Sequence, residues 1–345
     1  MKLFIENGMT LQGESFGAPV EAHGELVFTT GMTGYVESLT DPSYSGQILV
    51  MTYPLIGNYG VPDASLFESA RIHASGLIVS EYCHTPSHHA SERSLAQWLR
   101  DEGVPALEGI DTRALTRMLR EHGTMRSVIG GKKPDRFMNG ASENYVARVS
   151  PSEPVTTGSG KKTIVLIDCG AKESIARALA REDVTLVRVP WDYDLQGIRY
   201  DGLVISNGPG DPVRCTETIQ TIRAAFERDV PILGICLGNQ LLALAAGATT
   251  YKLPYGHRSH NQPCRDHLDD RVYITSQNHG YAVETGTLPP EWQVWFTNEN
   301  DGSNEGLRHQ SRPWRSVQFH PEAAPGPTDT AWIFDDFIDD IMRRV

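Results

Sequence analysis

From Thr163 onward the chain alternates strand-like and helix-like runs, and nothing else in it restricts the fold so tightly. "TIVLID" (163–168), "VTLVRV" (184–189), "DGLVIS" (201–206) and "PILGI" (231–235) are short, apolar and rich in β-branched residues, as buried strands are. "KESIARALARED" (172–183), "TETIQTIRAAFERD" (216–229) and the Leu- and Ala-rich run 241–246 read as the helices between and after them. Such alternation predicts an α/β fold: an open, mostly parallel sheet with helices on both faces. Shorter strands, "RVYITS", "WQVWF" and "RSVQF", and a helix at about Thr328–Arg344 follow. In such sheets ligands bind beyond the carboxyl ends of the strands. Residues directly after a strand are therefore the first places to look for chemistry.

The preceding sequence has a different texture. Residues 1–130 carry the strand-like runs "KLFIE", "ELVFTT", "QILVMTYP" and "GLIVS", then two helices, "SERSLAQWLRDEG" and "DTRALTRMLREHG". Each helix opens on a capping-type residue and stops at a glycine. This region reads as a mixed β/α domain. Residues 131–162 are polar and rich in Gly and Pro and are expected to be a linker, leaving 163–345 as the second domain. A length of 345 residues agrees with two domains. The net charge of −12 argues against nucleic acid or an anionic membrane as partner. No apolar run reaches membrane-spanning length, and the N-terminus has no signal-peptide centre, so a cytoplasmic location is expected. Five cysteines, an odd number without a C-x-x-C pair, speak against a disulfide framework or a cysteine zinc site.

Three segments follow strands of the second domain. In "PILGICLGNQ", Cys236 stands between a strand and a helix, with Gly234 and Gly238 on either side. This is the pattern of a nucleophile elbow with cysteine as the nucleophile, and the amino end of the helix favours a thiolate there. Read alone, G-x-C-x-G is equally a small buried residue in a turn. In "SVQFHPEA", His320 and Glu322 lie two apart, so an extended segment projects them to one side, as a base and the carboxylate that orients it. Read alone, this is a strand-end histidine beside a solvated glutamate. In "VISNGPGDP", Gly208 and Gly210 open a loop whose amides can hold an oxyanion, or form an ordinary turn.

In chain order, "SNGPGDP", then "GICLGNQLL", then "FHPEA", the three segments resemble the class I glutamine amidotransferases. The resemblance implies Cys236 as nucleophile toward the side-chain amide of L-glutamine, His320 as base and acid, and Glu322 as its orienting group. It further implies an oxyanion hole at Leu237 with a glycine of the 208–210 loop. Gln240 would contact the substrate, as would Asn278, Gly280 and Tyr281 of "SQNHGYAV". "TTGMTGYVESLTDPSYSGQILVMTYPLIGNYGV" (29–61) and "IDTRALTRMLREHGTMRSVI" (110–129) resemble one family among these, the small subunits of carbamoyl phosphate synthetase. That resemblance implies a glutamine contact at Ser43, from the other domain. It also implies a separate large subunit that takes bicarbonate and ATP, with magnesium, and receives ammonia through a tunnel. No G-x-x-x-x-G-K-[ST] phosphate loop occurs, and no cofactor is expected in this chain. The alternatives are a glutaminase for another synthetase and a non-catalytic regulatory scaffold. Pyrimidine and arginine synthesis are both open as pathways. Cys83, His84, His88 and His89 in "YCHTPSHHASE" fit no common structural zinc spacing, and no metal is expected.

Overall fold

The computed structural model describes residues 1–138 and 140–344. Asn139, within the expected linker, and Val345, the last residue of the expected second domain, lie outside the described residues. The chain divides into two compact units, Met1–Glu143 and Asn144–Val345. No described helix is long and apolar enough to cross a membrane.

The first unit contains β1 (Lys2–Ile5), β2 (Thr10–Gln12), β3 (Glu14–Ser15), β4 (Ala22–Thr29), β5 (Gln47–Met51), β6 (Leu55–Ile56), β7 (Gly76–Ile78), β8 (Glu81–Tyr82), β9 (Ala106–Glu108) and β10 (Met125–Gly130). Its helices are α1 (Tyr35–Thr40), α2 (Leu95–Asp101) and α3 (Thr112–His122). Eight strands form a mixed sheet in the order β2-β1-β10-β4-β5-β7-β9-β3, parallel from β4 to β9, while β6 pairs with β8. The two helices expected from sequence start as their caps dictate. The Ser94 side chain accepts from the Gln97 amide and Asp111 from that of Ala114, and α3 stops at Gly123. Each cap satisfies an amide that has no partner inside its helix, an effect of about 1 kcal/mol.

The second unit begins inside the expected linker. α4 (Val146–Val149) and β11 (Val155–Thr157) both belong to it, so residues 144–162 are not a free connection. Val146 is buried in the core, and β11 pairs antiparallel with β13 (Val184–Pro190). One buried valine and a three-residue edge strand leave no periodic signal in a Gly/Pro-rich stretch, so composition misleads there. The remaining elements are β12 (Lys162–Asp168), α5 (Glu173–Leu179), β14 (Gly202–Ile205), α6 (Thr216–Ala225), β15 (Ile232–Ile235), α7 (Leu237–Ala246), β16 (Thr250–Asp266), β17 (Val272–Val283), β18 (Trp292–Asn298), β19 (Asn304–His309), β20 (Trp314–Val317) and α8 (Trp332–Met342).

The ten-stranded sheet runs β11-β13-β12-β14-β15-β20-β19-β18-β16-β17. It is parallel from β13 to β20, and the antiparallel strands β19, β18, β16 and β17 extend one side. Alternate residues of β12 explain the layers. Val165 and Ile167 pack with Ile219 and Ile222 of α6 and Leu241 and Leu242 of α7. Ile164 and Leu166 pack on the opposite face with Ile175 of α5 and Phe337 and Ile341 of α8. Both faces are covered, which is why these strands read as continuous apolar runs. Burying each such side chain stabilises the fold by about 1.5–3 kcal/mol.

Candidate active site

β15 and β20 are neighbours in parallel register, Ile235 opposite Val317. Chains leaving two adjacent parallel strands emerge at the same sheet edge. Cys236 leaves β15 there, and Phe319 and His320 follow β20. The Cys236 amide donates to the Val317 carbonyl at 2.8 Å, so the ladder runs up to the thiol-bearing residue itself. Cys236 then turns abruptly into α7 at φ 54°, a left-handed conformation rare for a residue with a side chain. The turn closes only because of its glycines. A Cβ on Gly234 would meet the Gly238 carbonyl oxygen, and one on Gly238 would meet the Ile205 carbonyl oxygen. The elbow read from sequence is therefore a physical one, with sulfur at its crest and the amino end of α7 beginning at the next residue.

His320 is tied to β17 by its backbone amide, which donates to the Ser276 carbonyl at 2.9 Å. Its Nδ1 and Glu322 Oε1 are 2.6 Å apart, with both side chains at most 2% exposed. Lys172, 3% exposed, donates from Nζ to the same Glu322 oxygen at 3.0 Å and to the Ala323 carbonyl at 2.6 Å. Burial opposes ionisation of Glu322. The Lys172 ammonium, then the His320 ring, overcome it and hold the carboxyl down to about 2. Burial likewise opposes a charged His320, but the Glu322 carboxylate, then Cys236, raise the ring to about 10. Nε2 of His320 is buried and has no hydrogen-bond partner among the described residues. A buried polar atom left open beside an oriented, proton-holding ring is what a proton-transfer site requires.

Sequence reasoning passed over Lys172. It precedes α5 in "CGAKES" and has the look of an ordinary helix start. The turn after β12 delivers it: Asp168 Oδ1 accepts from the amides of Gly170 and Ala171 at 2.8 and 2.7 Å, and the Lys172 amide donates to Asn207 Oδ1 at 3.1 Å. Only tertiary structure reveals that this cation is buried.

Leu237 is the first residue of α7, so its N–H has no acceptor within the helix. Gly208 packs against it: a Cβ there would meet the Cys169 carbonyl oxygen and Leu237 Cδ2. Gly210 takes φ +89°, which suits glycine. Asn278, Gly280 and Tyr281 lie on β17. The Asn278 carbonyl is 3.6 Å from Cys236 Sγ. Gln240 Nε2 donates to the Tyr281 carbonyl at 2.8 Å and to Gln318 Oε1 at 3.0 Å, so its amide nitrogen holds β17 in place. Ser43 belongs to the first unit. It sits buried in the turn Pro42–Tyr44, where its amide donates to Asp41 Oδ1 at 2.9 Å.

All five cysteines are unpaired. Burial pushes the Cys215 thiol up to about 12 and those of Cys169 and Cys264 well above their usual range, which disfavours a thiolate at each.

Residues 165–340 match the class I glutamine amidotransferase family, and residues 3–129 match the CPSase domain of the carbamoyl-phosphate synthase small chain. The carbamoyl phosphate synthase arginine-specific small chain of Phaeosphaeria nodorum is 48% identical over 358 residues, covering 98% of this chain and 75% of that one. The corresponding Saccharomyces cerevisiae protein is 48% identical over 361 residues, covering 98% of this chain and 88% of that one. The multifunctional protein CAD of Squalus acanthias is 49% identical over 352 residues, which is 98% of this chain but 16% of CAD.

Proposed function

The chain belongs to the carbamoyl-phosphate synthase small-chain family, and on that premise we propose that it hydrolyses glutamine at Cys236 and passes the ammonia to a separate large chain. One observation supports this reading above others. Adjacent parallel strands lead to a cysteine and a histidine at one sheet edge, and the histidine is braced by a buried carboxylate.

The Cys236 thiolate attacks the side-chain amide carbon of glutamine. The negative charge moves to the amide oxygen, where the N–H of Leu237 and an amide of the 208–210 loop receive it. His320, protonated and held by Glu322, gives its proton from Nε2 to the departing nitrogen. The C–N bond breaks, ammonia leaves, and a γ-glutamyl thioester remains. His320 then takes a proton from water as the water oxygen attacks the thioester. The C–S bond breaks to give glutamate, and the thiolate–imidazolium pair is restored. Lys172 keeps Glu322 anionic through both halves. Asn278, Gly280, Tyr281 and Gln240 are proposed substrate contacts, with Ser43 added on sequence resemblance alone. Bicarbonate, ATP and magnesium are assigned to the large chain.

Ammonia release from glutamine, compared with asparagine, tests the chemistry. Carbamoyl phosphate formation with the large chain tests the destination. Cys236→Ser is expected to abolish glutamine-dependent synthesis while free ammonia still supports it. Retention of glutaminase by this variant would remove Cys236 as nucleophile. The chain alone is expected to hydrolyse glutamine slowly, and the large chain to raise kcat; equal kcat with and without it would leave an uncoupled glutaminase.

A further inference from the structure

His257 on β16, His279 on β17 and Glu305 on β19 are buried together, and one ligand-type atom from each lies within 4.8 Å of the others. Their hydrogen bonds do not close. His257 places Nε2 2.9 Å from Asp301 Oδ2, and Nδ1 3.0 Å from Gln277 Oε1 and 3.4 Å from Glu305 Oε1. His279 places Nδ1 2.8 Å from the Tyr281 carbonyl and Nε2 3.0 Å from the same Gln277 Oε1. All these partners are acceptors. A neutral imidazole has one N–H, so closing the contacts of all four ring nitrogens requires both rings to be charged. Two buried imidazolium rings with centroids 5.0 Å apart are costly.

Gln277 Nε2 lies 3.1 Å from Thr275 Oγ1, whose hydroxyl donates to the Gln262 carbonyl at 2.9 Å, and 3.3 Å from Cys264 Sγ, an arrangement that turns Oε1 toward the rings. Glu305 adds an independent sign. It is fully buried, Oε1 accepts from Asn298 Nδ2 at 3.0 Å, and Oε2 has no hydrogen-bond partner among the described residues.

We propose that His257 Nδ1, His279 Nε2 and Glu305 form a binding site for one zinc-class divalent cation, with Gln277 Oε1 as a neutral fourth ligand. Two imidazoles and a carboxylate are ligands of that class. The outer contacts are the kind that orient metal-bound histidines: His257 Nε2–H toward Asp301, and His279 Nδ1–H toward the Tyr281 carbonyl. Asp301 is itself braced, its Oδ1 accepting from the amide and hydroxyl of Ser303 at 3.0 and 2.8 Å. Both ligand nitrogens bind as lone-pair donors, so a proton held on either is released as the cation enters between the rings and Glu305. Tetrahedral ligands on bonds of about 2.1 Å sit roughly 3.4 Å apart, so side-chain movements on the order of 1 Å complete the shell.

The test uses the purified full chain, stripped with chelator and titrated with Zn²⁺ or Co²⁺. The expected result is one cation per chain by elemental analysis, visible absorption of four-coordinate Co²⁺, and a raised Tm. Glu305→Gln and His257→Asn should each lose the stoichiometric cation. Asp301→Asn should weaken it about 10- to 100-fold. Cys236→Ser should bind as the unaltered chain does; loss of the cation in this variant would assign it to the thiol and overturn the proposal. Failure of the unaltered folded chain to bind near one equivalent would also overturn it, as would undiminished binding by Glu305→Gln. Metal content and the Co²⁺ spectrum are read without glutamine, so they stand or fall apart from the proposed glutaminase activity.

Discussion

A carboxylate shut away from water needs a cation to stay ionised, and Glu322 has two, Lys172 and His320. Lys172→Met removes one and leaves the anion under-compensated. The expected cost is about 3–5 kcal/mol by denaturant unfolding, with a lower kcat as the brace on His320 weakens. Glu322→Gln strands the lysine and should cost a similar amount, whereas His320→Asn removes the proton-transfer group itself and should be worse for glutaminase kcat. The His320 ring rises from 6.5 to about 10 on folding, so its stabilisation is complete below pH 6.5 and is lost as pH climbs through about 10. Glu322 falls from 4.5 to about 2, so its contribution is complete above pH 4.5 and is lost as pH drops through about 2. Denaturation of the unaltered chain and His320→Asn from pH 6.5 to pH 10 checks the first: the gap in stability should narrow. Cys236 stands out in the sequence because it directly follows a strand, and His320 and Glu322 because they stand two apart in a short segment beyond another. Lys172 does not, because its burial and its partner 150 residues away exist only in the folded chain.

At the level of elements, the strand–turn–helix of β15 and α7 is built on backbone proximity. Gly238→Ala should push α7 away from β14, costing about 1–3 kcal/mol and reducing kcat more than KM, as read by unfolding and steady-state kinetics. An unchanged kcat would show that the elbow tolerates the shift. The parallel strands were plain in the sequence because both of their faces are buried. β16 was missed. Pro254, Gly256 and Pro263 punctuate it like a loop, yet it pairs with β17 across register shifts between Lys252 and His257 and between Ser259 and Gln262. Such irregularities let a strand accommodate prolines that would interrupt a regular ladder.

At the scale of the whole chain, the order in which strands are made differs from the order in which they lie. β20 is the last strand in sequence, but it occupies the sheet interior between β15 and β19. A growing chain therefore carries its thiol on β15 long before the strand leading to the base exists to cover that edge. Two unpaired strand edges face one another across a slot until β20 enters, the kind of surface on which nascent chains self-associate. Reactivity is consequently a late property of this molecule. A ribosome-arrested chain stopped before Trp314 should have no imidazole partner for Cys236, and alkylation of that thiol should report the moment the slot is filled.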